Sequence, residues 1–137
     1  MNYHSKGARF ATLLRNGMGA LDGHHAKDLA RIIRARRSRQ QYFPSQLFSD
    51  PSWDILLTLA LAHLEQQRIS VGELCKASDA PPTTALRHIQ ALIDEGLIER
   101  LDDRLDGRRK FVSLSADAAE RMSLYLSSQS LSELKAA

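Results

Sequence analysis

The chain has 137 residues, 43% of them hydrophobic and 26% charged, which suits one soluble globular domain with a modest core and is too short for two comfortable ones. A single cysteine excludes an internal disulfide framework and fits a reducing, cytoplasmic setting; no stretch approaches the ~20 apolar residues of a membrane helix, and Met1 to Lys6 lack the apolar core of a signal peptide. The formal charge of +3 hides an asymmetry, because residues 1–49 hold nine Lys/Arg against two Asp/Glu, a net +7, while residues 50–137 hold ten against fourteen, a net −4.

Residues 1–23 mix Gly7, Gly17, Gly19 and Gly23 with scattered apolar residues and no sustained period, so a mobile N-terminal arm is expected, with a helical turn around Phe10 to Arg15. Residues 24–46 read as a basic N-terminal helix and its connector. The helix is expected from His24 or His25 to about Gln41, with Leu29, Ile32 and Ile33 on one side and Arg31, Arg34, Arg37 and Arg39 round the rest. Arg36 falls in line with the apolar side, so that side is not dry along its whole length. The arginine run serves either as a solvated helix surface or as a phosphate contact, and spacing does not choose between them. Tyr42 and Phe43 are expected to tuck against the core.

Residues 47–115 are read as one domain, and the stretch from Ser70 to Ser115 within it organises the chain. Asp50 is an N-cap followed by Pro51 at the first helical position, and the helix from Pro51 to about Gln67 is apolar nearly all round, as befits a central helix covered on two sides. One cover is the segment that follows; the other is the N-terminal helix or a partner chain. Arg68-Ile69 is placed as a brief edge strand. Ser70-Val71-Gly72-Glu73 has capping-box spacing, so a short helix starts at about Val71 and ends near Ser78-Asp79, before Pro81-Pro82.

Pro82 suits the first turn of a second helix and Gly96 the position past its end, giving a helix from Pro82 to Glu95. Wound at 3.6 residues per turn, Ala85, Leu86, Ile89, Leu92 and Ile93 fall on one side and pack down. Thr83, Thr84, Arg87, His88 and Ala91 face out. Small residues around one arginine let a backbone approach DNA while the guanidinium fork reaches a base edge or phosphate. The pattern then turns strand-like over Leu97 to Leu101 and Lys110 to Leu114, with Asp106-Gly107 as the turn and Arg104, Arg108 and Arg109 at the tip. Such a ribbon, reaching over residues 102–110, suits the backbone or a minor groove. Ser115 caps a last helix from Ala116 to about Gln129, with Ala119, Met122, Tyr125 and Leu126 as its stripe, interrupted at Ser127 to Ser130.

Two stretches give the chain a family resemblance. Thr83-Thr84-Ala85-Leu86-Arg87, followed by Leu92-Ile93-Asp94-Glu95-Gly96-Leu97-Ile98-Glu99-Arg100, resembles the recognition helix and exit of the multiple-antibiotic-resistance regulator (MarR) family of bacterial transcription factors. Asp103-Arg104-Leu105-Asp106-Gly107-Arg108, closed by Phe111 to Ser115, resembles that family's D-x-R-D-x-R wing and return strand. Leu105 departs from the pattern, standing where the first arginine belongs, with Arg104 beside it. The resemblance covers roughly Leu47 to Leu126. It implies a mainly α fold with a small β-hairpin wing, a winged helix-turn-helix flanked by N- and C-terminal dimerisation helices. It also implies a homodimer built through the first and last helices, here Leu29, Ile32, Ile33 and residues 116–137 with Met122, Tyr125 and Leu126, and a small-molecule effector between those helices and the DNA-binding lobe.

Constellations that would signal chemistry are weak. His24 and His25 are adjacent, so on a helix they diverge by about 100° and do not grip one metal; a surface or capping role is expected. His63 is expected as a partly buried packing residue, and Cys75 as a small buried thiol. Asp102, Asp103 and Asp106 are interleaved with arginines and shape the wing turn. Nothing pairs a nucleophile with a base or cradles a phosphate, so no enzyme, cofactor or metal is expected. The expectation is a sequence-specific regulator of double-stranded DNA, a homodimeric repressor, with Thr83, Thr84, Arg87 and His88 at the major groove and Arg104, Arg108 and Arg109 on the wing. The alternative is a protein-interaction module in which the winged helix and basic N-terminal helix dock an acidic partner. The net −4 of residues 50–137 and the missing wing arginine at Leu105 are what favour that alternative.

Overall fold

The computed structural model describes residues 21–44 and 50–136, with side chains described as far as Gln129. The arm and the helical turn expected before residue 21 lie outside the described residues, as does the connector from 45 to 49. Leu21 to Gly23, expected in the arm, belong to the folded unit: Leu21 is buried in the core, and Asp22 caps a 3-10 turn at Gly23–His25. The Asp22 carboxylate accepts from His24 N at 2.9 Å, and Asp22 N donates to His25 Nδ1 at 3.3 Å. His25 reaches on through Nε2 to Ser127 Oγ at 3.2 Å, so the histidine expected to cap also fastens the start of the fold to its last helix.

Helix α1 (Ala26–Arg39) follows, and α2 (Pro51–Leu64) packs against it. Asp50 caps α2 by accepting from Trp53 N at 3.4 Å. The helix stops short of the expected Gln67 because Gln66 adopts a positive φ of 54°, which breaks the helical hydrogen-bond ladder. Ile55, Leu57, Leu59 and Ala60 are buried, covered by α1 on one side and by the following helices and sheet on the other. The second cover thus comes from the chain's own N-terminal helix. Arg36, the cation in line with the apolar side of α1, donates from Nε to Asp54 Oδ1 of α2 at 2.6 Å, so its charge is matched where it is partly desolvated. Two expectations fail here. His63 is exposed, and so are Tyr42 and Phe43, at 77% and 56%, because the helix end carries them past the core rather than onto it.

A short strand β1 (Ile69–Ser70) leads into α3 (Val71–Ala77), and a turn leads on to α4 (Pro82–Asp94). Ser70 Oγ accepts from Glu73 N at 3.2 Å and donates to the Glu73 carboxylate at 3.1 Å, the serine half of a capping box. Asp79 takes the left-handed conformation in the turn, with φ 58°, where a short polar side chain is tolerated. Gly96 leaves α4 at φ 75°, a conformation any side chain would strain. Strands β2 (Ile98–Asp102) and β3 (Lys110–Leu114) form the wing, and the sheet order is β1-β3-β2, antiparallel throughout. Register pairs Ile98 with Leu114 and Asp102 with Lys110.

Helix α5 (Ala116–Ala136) starts at the Ser115 cap, whose Oγ accepts from Ala118 N at 3.1 Å, and runs straight through the expected interruption at Ser127 to Ser130. Serines persist in the helix by bonding back to it: Ser128 Oγ donates to Tyr125 O at 2.7 Å. One apolar core joins all layers, from Leu21 and Leu29 through α2 to Leu74, Ile89, Leu92, Val112, Met122 and Leu126. Each leucine or isoleucine fully buried there contributes about 1.5–3 kcal/mol relative to exposure. The observed architecture is the mainly helical winged helix-turn-helix that the sequence implied.

Candidate nucleic-acid interface

Helix α4 is held by its inner face. Ala85, Ile89 and Leu92 are buried in the core, and Ile93 is half-buried beside them. Leu86, expected to pack down with these, is 49% exposed instead: it sits about 90° round the helix from the middle of the buried stripe, so only its flank is covered. The outer face carries Thr83, Arg87, Gln90 and Ala91, all exposed, with Thr84 half-buried at its margin. Gln90 donates to Asp94 Oδ1 at 3.0 Å and accepts from Arg100 at 3.5 Å, which ties the far end of the helix to β2.

His88 stands apart from that outer line. It is half-buried, with Nδ1 2.7 Å from Ser52 Oγ in the first turn of α2. This bond positions α4 against the central helix, a role for His88 and Ser52 that sequence spacing does not reveal across 36 residues.

The wing strands are anchored in the core by Ile98, Val112 and Leu114, but the tip, residues 101–110, has no buried residue and is held by its own local hydrogen bonds. Asp103 Oδ1 accepts from Leu105 N at 2.9 Å, and Asp106 Oδ1 accepts from Arg108 N at 3.0 Å. Arg109 N donates to Asp106 O at 3.0 Å, and Asp103 N donates to Arg109 O at 3.1 Å, closing the tip. Two aspartates of the expected turn cluster thus bind amide N–H groups, while Asp102 pairs with Lys110 at 2.9 Å. Arg104, Arg108 and Arg109 are all exposed, the Arg108 side chain to 98%. The Arg109 guanidinium lies 5.5 Å from the Phe111 ring centroid, and Arg68, not singled out by the sequence, lies 5.4 Å from the same ring. A basic residue just before a strand that pairs beside an aromatic was the signal available for Arg68.

Of the six residues proposed for dimerisation, Leu29, Met122 and Leu126 are buried within their own chain. Ile32 and Ile33 are half-buried on α1, and Tyr125 of α5 is 39% exposed with its ring 5.1 Å from Trp53, edge to face. A cavity of about 330 Å³ opens between the C-terminal part of α1, α2 and the end of α3, with Arg36, Phe43, Asp54, Leu57, Thr58 and Lys76 among its walls. Cys75 on α3 is half-buried, and burial pushes its thiol up, so little thiolate forms near neutral pH. Among the described residues no three His, Cys, Asp or Glu come together as a metal site, and no helix is long and apolar enough to cross a membrane.

A short helix, a turn and a helix with an exposed polar face, closed by a two-stranded arginine-tipped wing, define a winged helix-turn-helix protein. A family model described as MarR family matches residues 48–109, so the helix-turn-helix and wing are similar to that family. Solved structures share the fold. A MarR family transcriptional regulator from Silicibacter pomeroyi superposes with a TM-score of 0.51 at 24% identity, over 79% of this chain and 69% of that one. S. aureus MepR in a DNA-binding conformation gives 0.53 at 20% identity, over 78% of each chain. No curated protein matches the chain. The family match supports a DNA-binding regulator.

Proposed function

We propose that this protein is a homodimeric, sequence-specific transcriptional repressor that reads the major groove with α4 and the minor groove or backbone with the wing. The observation that carries the reading is the exposed line of Thr83, Arg87 and Ala91 on a helix otherwise fixed in the core, beside a wing whose three arginines project into solvent. Arg87 is the base-reading fork, flanked by Thr83 and Thr84; Arg104, Arg108 and Arg109 serve the phosphates and groove beside the wing. His88 acts by fixing the helix rather than by reaching a base, since its ring is engaged with Ser52.

Residues 47–115 act as the DNA-binding lobe and residues 116–137 as part of the dimer contact. Pairing two copies through α1 and α5 engages the surfaces of Ile32, Ile33 and Tyr125 that remain outside the chain's own core, and sets two recognition helices on successive grooves. A small-molecule effector is assigned to the cavity between α1 and the α2–α3 face, where occupancy would bear on the spacing of dimer and DNA-binding elements. Selection from a random duplex pool at near-physiological salt tests the reading. An inverted repeat with half-site centres about one helical turn apart is expected. A pool without enrichment would reject it and turn attention to the acidic partner that the basic α1 suits. Light scattering is expected to give a dimer at micromolar concentration.

A further inference from the structure

Leu105 is 98% exposed at the tip of the wing, more than any other large apolar side chain described, and no described residue covers it. It is not on a slack loop. Its amide donates to Asp103 Oδ1, and the backbone on its far side is closed by Asp106, so the leucine is presented at a set place. Arg104, Arg108 and Arg109 are exposed on the same tip, a basic setting that favours a polyanion over an apolar protein surface. Leu101 and Arg68 border the same shallow hollow, continuing the mixed apolar and basic surface back along the sheet.

We propose that Leu105 enters the minor groove as an apolar contact that selects easily deformed base steps at the edge of the binding site; this rests on the DNA-binding reading above. A leucine has no donor or acceptor, so it reads no base edge by hydrogen bonding. It gains nothing from the strong negative potential of a narrow A-tract, which rewards a guanidinium. What it gains is apolar burial against sugars and base edges, and that burial is largest where the groove widens and a step partly unstacks. Pyrimidine–purine steps, TA and CA/TG, open most easily. The flanking arginines hold the phosphates on either side while the leucine fills the floor.

The test is parallel selection from one random duplex pool with the wild-type protein, Leu105→Ala and Leu105→Arg. Wild type is expected to enrich TA or CA/TG steps outside the core read by α4. Leu105→Ala is expected to keep the core, lose the flanking preference and bind the wild-type optimum roughly tenfold more weakly, as loss of a buried leucine contact implies. Leu105→Arg is expected to move the flanks toward A-tracts. Unchanged melting temperatures for both variants, expected of so exposed a position, assign these effects to the contact itself. The same flanks in all three pools would overturn the role of Leu105 and leave the DNA-binding reading standing. A wild-type pool with no enriched core would overturn both.

Discussion

Helix α4 and the wing both hold arginines out to solvent, and they are held in place by different forces. Behind Arg87 lie Ala85, Ile89 and Leu92 in the common core and the bond from His88 to Ser52. Arg108 sits on a tip with no buried residue, held by a turn closed by two aspartates, and the strands behind it reach the core only farther back, through Ile98, Val112 and Leu114. The helix is therefore as rigid as the domain, whereas the wing tip is as rigid as its local hydrogen bonds. A reader built this way has one part that sets register against DNA and one part that can adjust to the groove it meets.

The contrast can be broken at four places, in descending order of effect. Ile89→Ala removes a side chain that is 1% exposed and should cost about 2–5 kcal/mol in denaturant unfolding, with α4 and the core-facing parts of β2 and β3 losing protection together because Ile98, Val112 and Leu114 share its core. Arg87→Ala should leave stability unchanged but cost about 1–3 kcal/mol on the selected site, with little loss on random DNA; equal loss on both would contradict its base-reading role. Arg108→Ala should weaken all sequences alike and reduce the slope of log affinity against log salt by about 0.9, as loss of one phosphate contact requires. The smallest effect is expected for Asp106→Ala. It should cost about 0.5–1.5 kcal/mol at most and appear as faster hydrogen exchange at the Arg108 amide, without change in the exchange of α4.

The same contrast explains what could be read from the sequence. Helix ends were legible because their determinants are local: Asp50 with Pro51, Ser70 with Glu73, Pro82, and Gly96 each act on a neighbour within a turn. The wing turn was legible for the same reason. Side-chain destinations that depend on another element were not. Leu86 lies at the border of its stripe, and only the placement of α4 against α2 decides that it stays half in water. His63 and Phe43 failed likewise, and the Ser52–His88 and His25–Ser127 bonds join residues 36 and 102 positions apart. Arg36 shows the intermediate case. Its conflict with the apolar side of α1 was visible, but its resolution, the carboxylate of Asp54, was not.

The sheet order leaves β2 as a border strand with one row of backbone groups unpaired by any described strand. Glu99, Arg100 and Asp102 alternate in charge along that row, and all are exposed. A foreign strand adding there would have to bury those charges or find their opposites in register. The chain can thus keep a thin, open ribbon projecting from its surface without inviting stacking between molecules, so concentrated preparations should resist fibril growth along this border.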